Sequence, residues 1–197
     1  MSEISRRDVL RQLALVVAAA GVVDRAAGQQ VHQMASQAMA ATGGRYTPTA
    51  LSAHEYATVE RLADLMIPVE NGAPGALAAG VPAWIDMLAG VNDQLKSVYT
   101  KGVAWIDDAM KARGAADFAS ASPTQQTALL DVIAFRKNST PEVAPGIEFF
   151  TWVRRMTVDG FYTSRVGMGD IYRGNSPQAT FTVPQEAIDY ALKRSGL

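Results

Sequence analysis

Cysteine, histidine and closely spaced carboxylates build most catalytic and metal sites, and this chain carries few of them. It has 0 Cys and 2 His in 197 residues, which excludes cysteine-ligated iron–sulfur clusters and thioether-linked haem. The imidazoles, His32 and His54, are far apart in sequence and neither stands in a helical pair with a second ligand, so zinc and haem are not indicated. A Ser-His-Asp arrangement would have to borrow one of them. Asp107 and Asp108 are neighbours on an expected helix, where adjacent side chains diverge by ~100°. Only one can face a shared site, and a solvated face is the expectation for the pair. Glu142 and Glu148 flank Pro145-Gly146 without a basic or histidine partner, a pattern closer to helix capping than to general acid–base work. The run from Gly72-Ala73-Pro74-Gly75 to Gly80 has the glycine density of a phosphate cradle but lacks the following Lys-Ser/Thr and a preceding strand. Within Arg154-Arg155 one side chain is expected at the surface and the other paired with a carboxylate such as Asp159. Trp84, Trp105 and Trp152 are assigned to the core. No catalytic, cofactor-binding or metal-binding residue is named.

One short motif does carry a mechanism. Arg6 and Arg7, within Ser5-Arg6-Arg7-Asp8-Val9-Leu10, precede an apolar run from Leu13 to Val23 and read as a twin-arginine export signal over residues 1–28. That route carries proteins already folded, often around a cofactor, and would place the chain in the periplasm. The run is shorter than the ~20 residues needed to span a bilayer, and Asp24-Arg25 closes it with charge. Ala26-Ala27-Gly28 supplies small residues for a peptidase, so cleavage after Gly28 is expected, although retention is equally compatible with these residues. The net charge of -1 gives no electrostatic reason to expect nucleic acid or an anionic membrane surface as partner.

The elements that follow read as helices. Residues 29–50, rich in Ala, Gln, Ser, Thr and Gly, are expected to form a flexible tether. Ser52-Ala53-His54-Glu55 has the spacing of a capping box and starts a helix whose face is Tyr56, Val59, Leu62, Ala63 and Met66; Pro68 stops it. A Gly/Ala/Pro loop leads to Val81-Pro82 and a short helix with Trp84, Ile85 and Leu88. Leu95, Val98, Tyr99, Val103, Ile106 and Met110 trace a long amphipathic helix ending near Gly114. Ser122-Pro123-Thr124-Gln125 opens another. The tract from Gly146 to Val166 is the most aromatic and apolar of all and is expected to be the central helix. No strand alternation stands out. The expectation is an all-α small helical bundle over 51–166, followed by an irregular tail over 167–197 with a helix only from about Gln185 to Lys193.

The phrase Leu62-Ala63-Asp64-Leu65-Met66-Ile67-Pro68, the loop at Gly75-Ala76 and the phrase Ala79-Gly80-Val81-Pro82-Ala83-Trp84-Ile85-Asp86 together resemble the gluconate 2-dehydrogenase subunit 3 family. The resemblance runs from about Leu51 to the C-terminus. The tail, with Phe161-Tyr162-Thr163-Ser164, Gly169-Asp170, Tyr172-Arg173-Gly174-Asn175 and Pro184-Gln185-Glu186, is similar to members associated with glucoside 3-dehydrogenases, whose frequent double proline is here the single Pro184. The resemblance implies a non-catalytic small (gamma) subunit that binds a larger FAD-carrying sugar or glycoside dehydrogenase of the glucose-methanol-choline type. In that arrangement the small subunit acts as folding escort and carries the signal read by the Tat translocase. FAD then belongs to the partner, whose electrons leave for a cytochrome c or another acceptor, and the complex is periplasmic or membrane-associated. Tyr172, Asn175 and Phe181, with Tyr162, are the expected partner-interface residues. The competing reading is a self-contained periplasmic enzyme or ligand-binding protein whose site is assembled from scattered residues.

Overall fold

The computed structural model describes residues 25–41, 45–172 and 183–196. Among these the fold is all-α, with no strand beyond an isolated bridge between Glu70 and Ala73. The helices are α1 (Arg25–Ala41), α2 (Ala53–Met66), α3 (Val81–Ala89), α4 (Asp93–Lys111), α5 (Pro123–Ile133), α6 (Ala144–Thr163), α7 (Arg165–Tyr172) and α8 (Gln185–Ser195), with a short 3-10 turn at Arg136–Asn138.

Local chemistry sets the helix starts. The Ser52 Oγ accepts from the Glu55 N–H at 3.2 Å while the Glu55 carboxylate accepts from the Ser52 N–H at 2.6 Å, so two otherwise unpaired donors at the head of α2 are satisfied together. Ser122 and Gln125 repeat the device at α5, at 3.3 and 3.1 Å. Asn92 caps α4 through the Leu95 N–H at 2.9 Å. Pro82 and Pro123 occupy first-turn positions where a missing N–H costs nothing.

The aromatic tract is central. α6 packs against α1 through α5 and against α7, burying Ile147, Phe149, Val153, Met156 and Phe161. Its crossing with α4 is unusually close because each helix offers a glycine to the other's ring. The Phe149 ring fills the space a Cβ would take at Gly102, and the Trp105 ring does the same at Gly146. Trp84, Tyr99 and Phe118, all fully buried, complete the core with Leu62, Ile106 and Met110.

Two stretches differ from the sequence expectation. Where a tether was expected over 29–50, α1 is helical and docked: Val31 and Ala35 are buried. Gly28, Val31, His32 and Ala35 recur at a spacing that makes a narrow seam, and the small residues let the helix lie close to α6, where the Thr163 side chain fills the space beside Gly28. The segment after α1 is tied down as well. Asp86, wholly buried on α3, accepts from the Tyr46 hydroxyl (2.8 Å), the Thr49 N–H and hydroxyl (2.9 and 3.2 Å), and the Ala50 and Leu51 N–H groups (3.1 and 2.8 Å).

The tail also begins more regularly than its glycines suggest. α6 breaks at Ser164, whose backbone is extended and whose Oγ accepts from the Gly167 N–H at 3.0 Å while donating to the Phe161 carbonyl at 2.6 Å. This is an N-cap, and α7 starts from it. Gly167 is needed at the corner because the Phe161 carbonyl lies where a Cβ would stand.

Candidate partner interface

The two imidazoles sit at separate places, His54 on a carboxylate and His32 on a backbone carbonyl, and both hold the fold. Asp107 and Asp108 diverge as helix geometry requires. Asp108 faces solvent with Lys111 at 2.9 Å, whereas Asp107, 7% exposed, accepts from the His54 Nε2 at 2.6 Å and from the Phe118 N–H at 2.9 Å. The expectation of a solvated face therefore holds for Asp108 alone. Asp107 is turned inward because it joins α2 to the loop after α4. Its hydrogen bond to His54 raises that imidazole above its ordinary pKa, against a smaller opposing effect of burial. His32, on α1, stacks on Trp84 with ring centroids 5.8 Å apart. Its Nε2 lies 2.6 Å from the Gly160 carbonyl, which fixes the proton on that nitrogen. Burial holds His32 below its ordinary pKa, partly offset by that carbonyl. The Trp84 Nε1 in turn donates to the Gly28 carbonyl at 3.3 Å.

The remaining charged pairs are structural. Arg155 lies 3.9 Å from Asp159 and over the Trp152 ring, as the sequence suggested, with both side chains partly exposed. Burial raises the Asp159 carboxyl and Arg155 opposes it. Glu142 is held low by the Thr140 hydroxyl ahead of α6, while Glu148 lines a cleft with Lys101 and Trp105. Trp84 is core; Trp105 and Trp152 are half-buried. Among the described residues no group of three or more His, Asp or Glu gathers to hold a metal, and no helix is long and apolar enough to cross a membrane.

The surface offers a different kind of feature. Val158 and Tyr162, one turn apart on α6, are 40% and 38% exposed, an outward apolar pair on the helix that otherwise forms the centre of the core. Tyr162 meets Phe161 edge-on at 5.1 Å and lines a groove of about 540 Å³ together with Val166, from its own part of the sequence, and Ile67, Pro68, Ala73 and Pro74 from another. The latter stretch holds a tight turn. Asn71 and Gly72 both take left-handed backbone (φ 49 and 80) and Glu70 and Ala73 exchange backbone hydrogen bonds at 3.2 and 2.8 Å, the geometry of a two-residue hairpin loop. Val69 on this turn is 70% exposed. The glycine-rich loop is thus a rigid lip to an apolar groove.

The expected interface residues fall unevenly on this surface. Tyr162 is in the groove, and Tyr172 is the last residue of α7, the helix that continues from it. Asn175 and Phe181, like Arg6 and Arg7 of the expected export signal, lie outside the described residues. Val158 and Val69 were not foreseen; the four-residue spacing from Val158 to Tyr162 was the available signal.

The model of the gluconate 2-dehydrogenase subunit 3 family matches residues 53–179. The chain belongs to this family. No curated protein and no solved structure matches it. By family the chain is an accessory subunit of a dehydrogenase complex and associates with its other subunits. The matched region runs from the first turn of α2 past α7, so it includes the groove, and α1 and α8 stand outside it.

Proposed function

We propose that this chain is the non-catalytic small subunit of an exported FAD-dependent sugar or glycoside dehydrogenase, with FAD carried by the larger partner. Family membership is the observation that supports this reading most directly. The chain's own part would be to bind the flavoprotein while it folds and to take it through the Tat translocase on the signal at Arg6 and Arg7. Electrons would pass from the flavin to a cytochrome c or other acceptor without crossing this chain. The groove beside Tyr162 and the residues that follow it, Tyr172, Asn175 and Phe181, would lie against the partner, an arrangement in which exposed Val69, Val158 and Tyr162 become buried.

The test is a pull-down of the tagged full chain from its native host with an absorption spectrum of the eluate. A flavin spectrum carried by a larger companion is the expected result; a colourless, solitary chain would reject the reading. The export half is tested separately by Arg6→Lys with Arg7→Lys. Both this chain and the flavoprotein should then remain cytoplasmic, and normal periplasmic dehydrogenase activity in the double variant would remove the carrier role.

A further inference from the structure

The last helix is finished as a helix yet covered by nothing among the described residues. Every residue from Val183 to Gly196 is exposed. Even so, α8 carries Glu186 in its first turn, Lys193 and Arg194 in its last, and a left-handed Gly196 at its end, the arrangement that complements the helix dipole and closes the final turn. Side-chain bonds from Gln185 to Asp189 (2.9 Å) and from Arg194 to the Tyr190 hydroxyl (3.0 Å) brace one side of it. The opposite side is apolar: Ala187, Ile188, Ala191 and Leu192 follow the spacing of a single helical face. Helices this short are marginal in water on their own, so a face of this kind is built to be covered.

We infer that the Ile188–Leu192 face of α8 docks into an apolar groove on the larger dehydrogenase subunit, as a helix-in-groove anchor beyond the residues the family model matches. The inference rests on the accessory-subunit reading. Size argues for this occupant over a second copy of the chain. An 11-residue helix is ~16 Å long, and two such faces with Ile188 and Leu192 as their large side chains fall far short of the roughly 1,000 Å² a stable stand-alone interface needs. The helix therefore has to be an outlying part of a larger contact, and family membership supplies the other subunits for one. The family match covers residues 53–179 and α8 lies beyond it, a place where contacts can be fitted to this chain's own partner. Charge argues against a membrane surface: Glu186 and Asp189 balance Lys193 and Arg194, leaving no cationic belt beside the apolar face.

The experiment compares the full wild-type chain with Ile188→Glu/Leu192→Glu and with the polar-face control Glu186→Gln, each co-expressed with the larger subunit. Because α8 is exposed throughout, the substitutions leave the buried core untouched, which circular dichroism and thermal melting check. The double variant should bind the larger subunit at least tenfold more weakly and the control should bind as wild type. Equal binding by the double variant would overturn the inference and leave the accessory role standing, whereas a wild-type chain that captures no larger subunit would overturn both. A wild-type dimer in gel filtration that the double variant abolishes, or flotation with phosphatidylglycerol vesicles that it abolishes, would likewise overturn it in favour of a second copy or a lipid surface.

Discussion

Asp86 is the residue on which the entry to the domain depends. Its buried carboxylate gathers the Thr49, Ala50 and Leu51 N–H groups with the Tyr46 and Thr49 hydroxyls, and a buried donor left without an acceptor costs ~1–3 kcal/mol. Asp86→Asn, which keeps the shape but turns an amide toward these donors, should lower the unfolding free energy by ~3 kcal/mol in urea titration, with Asp64→Asn as a near-neutral control. The histidines make a second prediction because they titrate in opposite senses. His54 is raised by Asp107, so its contribution is complete below the unfolded value of ~6.5 and is lost as pH rises through the folded value. His32 is lowered by burial, so its contribution is complete above that value and is lost as pH falls through the folded one. Thermal melting against pH should therefore give a dome. His54→Gln should flatten its alkaline limb by no more than ~0.5 kcal/mol, since the His54 ring is half-exposed, and His32→Gln should flatten its acid limb. A profile unchanged in both variants would contradict the assignment.

At the scale of elements, the α4–α6 crossing is the least tolerant part of the fold. Gly102→Ala puts a methyl group into the Phe149 ring, and overpacking of this kind costs ~1–3 kcal/mol. A matched Gly114→Ala change meets no atom but strains a left-handed residue (φ 80), so loss of stability without disturbance of the near-ultraviolet signal is expected there. These elements were largely legible in advance because their determinants are local: Ser52 with Glu55, Ser122 with Gln125, Pro68, Pro82 and the periodic apolar faces. α1 and α7 were not. Ala and Gln around residues 29–41 permit a helix as readily as a coil, and the choice is made by tertiary partners, Trp84, Gly160 and Thr163, far along the chain. At α7 the glycines argued for disorder of the helix pattern, whereas Gly167 is there to admit the Phe161 carbonyl. The exposure of Val158 beside Tyr162 was hidden for another reason: in the aromatic tract an aliphatic residue looks like core until the neighbours are known.

At the scale of the whole molecule, α1 alters where the mature protein can begin. Cutting after Gly28 would remove the carbonyl that accepts from Trp84 and the close contact with Thr163. Under the export proposed above, intact-mass measurement of the periplasmic chain should therefore find Gly28 still present, with the cut ahead of α1 or the leader kept; a chain starting at Gln29 would refute this. The same docking has a geometric consequence. Gly28 rests on Thr163 at the end of α6, and the Gln29 amide donates to the Met168 sulfur on α7 at 2.9 Å, although 139 positions separate Gln29 from Met168. The start of α1 is thus pinned at the corner between α6 and α7, so that a partner seated along α7 finds the opening turn of α1 within its reach.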